Sequence, residues 1–214
     1  MSPIHGGGRG KLFVVSAPSG GGKTSLTRAA VERLNGQGHP AAISISYTTR
    51  AARPGEQHGV HYHFVSAPEF EAMIGRGGFL EHAQVFGQRY GTGRTATEAL
   101  LRKGSDVILD IDWQGGRQVR GKVEDAISIF ILPPSREELE RRLRSRGQDS
   151  DATIAQRMAQ AKVEMSHYAE YEHLIVNRDF EQALAELIGI FKAPREVRPE
   201  PHSRYRPLIE KLLV

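Results

Sequence analysis

A short apolar run that passes through a glycine cluster into a lysine and a hydroxyl limits what this chain can become. Residues 11 to 34 read KLFVVSAPSGGGKTSLTRAAVERL. The opening KLFVVSA is rich in branched residues and suits a buried strand. Leu26, Ala30 and Leu34 then recur one helical turn apart, and Asn35-Gly36 can stop that helix. Between strand and helix lies a variant of the pattern G-x-x-x-x-G-K-[ST]. Gly22, Lys23 and Thr24 match it, while Ala17 stands at the first glycine position. Alanine is tolerated there if it keeps a negative φ; only a left-handed backbone would demand glycine. Such a turn aims the backbone N–H groups of Gly20 to Thr24 inward, at the positive end of the helix dipole. The expectation is a cradle for nucleotide phosphates made by Ala17, Pro18, Ser19, Gly20, Gly21, Gly22, Lys23, Thr24 and Ser25. Lys23 would neutralise the β- and γ-phosphates, and the Thr24 hydroxyl would coordinate Mg²⁺. A merely glycine-rich turn is the bland alternative, and the coincidence of strand, glycines, Lys-Thr and helix argues against it.

The rest of the chain repeats the same alternation. SDVILDID, AISIFILPPS and EHLIVNRD are apolar runs suited to buried strands. Helical patterns lie between and after them: REELERRLRSRG behind a Ser135/Glu138 capping box, DATIAQRMAQAKVEM with Ile154, Met158 and Met165 in phase, and EQALAELIGIFK. AAISISYTTR reads as one further strand, RPGEQHG as a turn and VHYHFVS as an alternating strand. APEFEAMIGRGGFLEHAQVFGQRYGTG mixes a short helix with strands. The pattern predicts an α/β fold, a mostly parallel sheet covered on both faces. Ligands in such sheets bind beyond the carboxyl ends of the strands, which gathers the glycine loop, Asp110 and Asp112 around one crevice. Residues 1–10 are glycine-rich and read as a disordered tail. From Ala193 the chain is rich in proline and charge and reads as a loose extension. No internal repeat is present.

Composition removes several classes of function. A chain of 214 residues, 39% hydrophobic and 25% charged, can bury one substantial core as an ordinary globular domain. Without cysteine it has no disulfides, thiolate catalysis or cysteine zinc sites. No apolar stretch approaches the roughly 20 residues of a membrane span. MSPIHGGGRG carries no hydrophobic signal region, so a cytoplasmic protein with no membrane partner is the expectation. Nine histidines, among them His58, His61 and His63, show no metal-ligand spacing and read as surface or structural. Lys and Arg together number 29, only seven of them lysines. Guanidinium forks suit phosphate, but the overall count can equally follow genome composition, so only arginine positions carry an argument.

Some positions do. Asp110 closes an apolar strand and is the expected acidic partner, through water, of a Mg²⁺ held by Thr24; a solvent-facing strand-end acid is the alternative. Arg50 and Arg53, with Tyr62 and Tyr90, offer two guanidiniums and two phenols, a clamp for a phosphate monoester dianion. Arg142 and Arg146 lie one turn apart in RRLRSRG and can project together. A nucleic-acid patch is the rival reading of that string, weakened by the lack of interleaved aromatics and by nearby acids.

Taken in order, VVSAPSGGGKTSL, SYTTRAARPGEQHGVHYHFVS, FLEHAQVFGQRYGT, VILDIDWQGGRQVR, ILPPSREELERRLRSRG and YEHLIVN resemble the guanylate kinase family over about residues 11–192. The resemblance implies an ATP:GMP phosphotransferase, also accepting dGMP, on a P-loop nucleoside-monophosphate-kinase fold. It implies a core of 11–45, 94–140 and 161–193, a small mixed GMP-binding insert over 46–93, a helical lid over 141–160, and an extension over 194–214. Ser46, Glu81, Thr92 and Asp112 match positions around the guanine; Arg50, Arg53, Tyr62 and Tyr90 match the clamp on the GMP phosphate. Arg142, Arg146 and Arg157 match lid arginines that close over ATP and, with Lys23 and Asp110, form the implied catalytic set. Ala17 at the first glycine and Tyr47, where some members have a small residue, are mild departures.

Elementary chemistry supports the transfer. Guanine presents N1–H and an exocyclic amine, and a carboxylate such as Glu81 can accept from both. Adenine presents a bare N1 acceptor to the same carboxylate, and a buried unmatched acceptor costs about 1–3 kcal/mol. No general base is required, because the nucleophile is a phosphate oxygen already ionised at neutral pH. Two other readings stay open at this point: a non-catalytic phosphopeptide-binding module on the same fold, and a P-loop kinase for another small acceptor. Oligomeric state, homo-oligomers included, is not legible.

Overall fold

Two periodicities, one of strands and one of helices, set the architecture. The structure, a computed structural model, describes residues 8–85, 87–145, 150–193 and 201–214. In chain order these form β1 Leu12–Ser16, α1 Lys23–Gly36, β2 Ala41–Ile43, β3 Tyr47–Thr48, β4 His63–Phe64, α2 Ala67–Gly75, β5 Phe79–Val85, β6 Gln88–Gly93 and α3 Arg94–Arg102. There follow β7 Asp106–Asp110, α4 Trp113–Arg120, β8 Ile127–Leu132, α5 Arg136–Arg144, α6 Asp151–Ser166, β9 His173–Val176, α7 Phe180–Lys192 and α8 Pro201–Leu213.

The larger sheet has five strands in the order β2-β7-β1-β8-β9, every pair parallel. β1 is fully buried and divides its side chains between two cores, as strand geometry requires. Leu12 and Val14 join Leu101, Val119, Ala161 and Met165 on one face. Phe13 and Val15 join Leu26, Ala30 and Leu34 of α1 and Leu184, Leu187 and Ile188 of α7 on the other. The rings of Phe13 and Phe191 stack at 3.8 Å across that second interface. A smaller mixed sheet, in the order β4-β3-β6-β5, packs around Phe70, Met73 and Phe79.

Several sequence expectations need correction. AAISISYTTR is not one strand: Ala41–Ile43 ends in the large sheet, and Tyr47–Thr48 begins in the small one. Ser44 is held back, its N–H bonded to Ile108 O at 2.9 Å and its hydroxyl to Thr97 Oγ1 at 3.0 Å. VHYHFVS contributes only His63–Phe64 as a strand. The Ser135 hydroxyl caps α5 by accepting from Glu138 N–H, but the Glu138 carboxylate turns to Arg141 and Arg142 instead of closing a capping box. The C-terminal stretch is not a loose extension over 201–213: α8 is helical, and Ile209 and Leu212 are buried in the first core beside α6 and β9. Of the expected disordered tail, residues 1–7 lie outside the described residues, and Gly10 N–H is already bonded to Leu101 O at 2.8 Å. No described helix is long and apolar enough to cross a membrane.

Candidate active site

The carboxyl ends of β1 and β7 lie side by side in the sheet, with Val15 paired to Asp110. Beyond β1 the chain turns through 17–22 and enters α1 at Lys23. Gly20 and Gly22 take φ of 88° and 90°, a left-handed backbone that favours glycine. Space imposes the same choice. A Cβ on Gly20 would lie 3.0 Å from Leu139 Cδ1, and one on Gly22 would lie 2.3 Å from Asn177 Nδ2. The loop is braced by Gly21 N–H to Pro18 O at 2.8 Å and by Asn177 Nδ2 to Gly21 O at 2.9 Å. α1 has no side-chain cap, and its first intrahelical bond is Leu26 N–H to Gly22 O at 3.1 Å. The N–H groups of Lys23, Thr24 and Ser25 precede that bond and point toward an anion position at the helix N-terminus.

Lys23 and Thr24 converge on one carboxylate from the neighbouring strand. Lys23 Nζ lies 2.8 Å from Asp110 Oδ1 and donates to Ile111 O at 2.8 Å. The Thr24 hydroxyl donates to Asp110 Oδ2 at 3.0 Å. Burial is the largest single influence on the Lys23 ammonium and lowers its pKa. The charge and hydrogen bond of Asp110, with Asp112 beyond, outweigh burial, and the net shift is upward. Lys23 is therefore a fixed cation at working pH.

Opposite the loop, β5 and β6 pair Glu81 with Thr92 and Ala83 with Tyr90. Glu81 is 3% exposed and accepts from the Thr92 hydroxyl at 2.6 Å. Burial raises its pKa to about 7, against the lowering by the Thr92 bond and with a further rise from Asp112. Its other oxygen faces α4 so closely that a Cβ on Gly115 would stand 2.4 Å from it. Asp112 is the N-cap of α4 and accepts from Gly115 N–H at 2.9 Å, so helix and carboxylate are placed together.

These parts share one cavity of about 310 Å³. Its wall takes Ala17, Pro18, Ser19, Gly20, Gly22, Lys23, Thr24 and Ser25 from the loop, and Ser46, Tyr62, Glu81, Tyr90, Asp110 and Asp112 from the sequence-predicted set. Gly21 and Thr92 do not line the wall, though the Thr92 hydroxyl donates to Glu81. Arg50 and Arg53 do not line the wall. Arg50 lies over the Tyr62 ring at 5.4 Å and is paired with Glu56 at 2.8 Å, a bond that heads the causes raising its pKa. Arg53 is exposed, its N–H bonded to Glu56 at 2.7 Å. Arg142 also stays outside, held by Glu138 at 2.7 Å and by Asn177 O at 3.0 Å. Arg157 is half-buried on α6 and away from the wall, and Arg146 lies outside the described residues.

Sequence reasoning passed over four participants: Glu164, Asn177, Gly115 and the Ile111 carbonyl. Asn177 ends the string YEHLIVN, and Gly115 falls in the glycine pair of WQGGRQ, an unfavourable choice inside a helix that signals close approach. Glu164 lines the cavity from α6 and accepts from Ser19 N–H at 3.0 Å. Nothing in its helical pattern distinguishes it from a solvent-facing glutamate.

Comparison with known proteins covers nearly the whole chain. The sequence model of the family described as guanylate kinase matches residues 9–194. A guanylate kinase of Salmonella choleraesuis is 57% identical over 96% of this chain and 98% of its own. One of Chromohalobacter salexigens is 54% identical over 99% of this chain and 96% of its own. The crystal structure of guanylate kinase from Anaplasma phagocytophilum superposes with a TM-score of 0.69 at 33% identity, over 96% of this chain and 97% of that one.

Proposed function

This chain belongs to the guanylate kinase family and transfers the γ-phosphate of ATP to GMP, giving ADP and GDP; from that premise we propose how its own residues divide the work. ATP's phosphates lie in the 17–25 loop, and GMP, or dGMP, lies across the cavity with its base against Glu81. One observation carries the reading: a single cavity has the phosphate loop on one wall and Ser46, Glu81, Tyr90 and Asp112 on the other. Two substrates placed so close need little beyond alignment and charge neutralisation to react.

The nucleophile is an oxygen of the GMP phosphate, which needs no base. Glu81, ionised, accepts from guanine N1–H and the exocyclic amine, with Thr92 holding one of its oxygens; the Ser46 hydroxyl can donate to the remaining acceptor edge, and Asp112 can accept from the amine's second hydrogen. Tyr62 and Tyr90 face the GMP phosphate, joined by Arg50 and Arg53 when the 46–93 insert swings inward. Lys23 leaves Asp110 for the β- and γ-phosphates. Arg142, Arg146 and Arg157 come with the 141–160 lid and cancel charge on the transferring group, closing the site to water.

The Thr24 hydroxyl and Asp110 are the oxygens that would hold Mg²⁺. Hard oxygen donors suit that ion, and among the described residues no group of three or more acidic or histidine side chains offers a self-sufficient metal cage. Bound there, the ion would supply charge neutralisation for the phosphates. We place the reaction in the cytoplasm.

The test is ADP release with GMP, dGMP, AMP or no acceptor. Strong preference for GMP and dGMP is expected; equal rates with GMP and AMP would reject the guanine pocket. Lys23→Met should abolish transfer, with GMP binding largely intact by calorimetry. Unchanged turnover would refute the role given to the lysine.

A further inference from the structure

The reaction as described has no use for Glu164, yet its carboxylate stands inside the site. It is 8% exposed, projects from α6 into the cavity wall, and takes the Ser19 N–H of the phosphate loop at 3.0 Å. Burial raises its pKa, against the lowering by the Ser19 bond and by Lys23. The cavity already holds Glu81, Asp110 and Asp112 against the single cation Lys23. A fourth carboxylate here repels the polyphosphate that the loop is shaped to receive. It also joins that loop to α6, the helix whose N-terminal part carries Arg157.

We propose that Glu164 is a positioning residue, an electrostatic tether that takes up one donor of the phosphate loop and links α6 to the charge of the incoming nucleotide. Triphosphate in the loop competes with the carboxylate for the same electropositive backbone and pushes it away. The tether at the root of α6 then slackens as ATP binds. Because linkage is reciprocal, whatever holds α6 in its tethered position also opposes ATP. This inference rests on the reading of 17–25 as the ATP cradle.

Trp113 supplies the readout. It is the only tryptophan in the chain and stacks on His167, the residue that ends α6, with ring centroids 3.6 Å apart. Titration of wild-type enzyme with Mg·ATP in alkaline buffer, followed by its fluorescence, gives a midpoint; ADP-release kinetics give KM for ATP and kcat separately. Glu164→Gln keeps an oxygen for Ser19 N–H but removes the charge. Its ATP midpoint and KM are expected to fall roughly fivefold, the scale of one like-charge repulsion across several ångströms of polar surroundings, with kcat changed less. Glu164→Ala should move KM in the same direction and decides the matter if the glutamine variant does not fold. A residue that merely braces the loop predicts the opposite, so an ATP KM unchanged or raised in the folded variants overturns the proposal. Lys23→Met, run in parallel, separates the two readings: if it leaves transfer intact the cradle itself is misassigned, and if it abolishes transfer while Glu164→Gln leaves KM alone, only the tether fails.

Discussion

In the proposed reading, Glu81 concentrates the specificity problem into one carboxyl group. Its folded pKa of about 7 lies above the ordinary 4.5 because burial disfavours the charge. The folded protein therefore holds this proton over a range in which the unfolded chain has released it. The stability so contributed is complete below pH 4.5 and is lost as pH rises through 7, about 3 kcal/mol in all. Glu81→Gln never ionises, so its urea-denaturation stability should lack this fall between acid and alkaline buffers, and an identical slope in both proteins would count against the assignment. Ligand binding runs the other way. Guanine's donors need the ionised carboxylate, so KM for GMP should rise as pH drops below 7. The same substitution should lower kcat/KM for GMP by about 10- to 100-fold and shrink the preference over AMP.

At the scale of elements, α4 shows why a helix keeps two residues that weaken it. Glycine in a helix interior costs about 0.5–1 kcal/mol relative to alanine. Gly115 and Gly116 persist in α4 because a Cβ on the first would collide with Glu81 Oε2 and on the second would lie 2.6 Å from the Tyr171 hydroxyl. Gly115→Ala should favour the isolated helix yet displace the Glu81 carboxylate, to which we assign the guanine contact. We expect kcat/KM for GMP to drop on the order of 10²-fold with KM for ATP little changed, as steady-state kinetics with each substrate varied would reveal. Elements also mark how far the sequence could be read. β1, β7, β8 and β9 were legible because strands buried on both faces must be apolar throughout. The short strands of the small sheet were legible only in outline, inside AAISISYTTR and VHYHFVS: two residues carry no period, so the bounds of Tyr47–Thr48 and His63–Phe64 follow from tertiary pairing. The loop from Ala17 to Ser25 was legible because its chemistry is local. Glu164 and Asn177 reach the same loop from 145 and 156 residues away, and only the folded chain brings them there.

Across the whole molecule, the described arrangement keeps its arginines in reserve. Arg50 is paired with Glu56 and Arg142 with Glu138, whose pKa Arg141 and Arg142 together hold down to about 2. The cavity meanwhile has Lys23 against several carboxylates. In the reading proposed above, two phosphate-bearing substrates would reverse that balance, and the arginines would exchange their acidic partners for phosphate. The two cores around the large sheet supply the frame for that exchange, and α8 packs into one of them. A proline- and charge-rich composition hid this helix in the sequence: among its described residues Ile209 and Leu212 are buried, with Tyr205, Leu208 and Leu213 partly buried beside them, against the core that also holds Ala161 and Met165 of α6. Leu212 is 1% exposed, so Leu212→Ala should destabilise the protein by about 2–5 kcal/mol while unfolding stays a single transition in urea. A loosely attached tail would instead give a change within about 0.5 kcal/mol, and that result would detach α8 from the core.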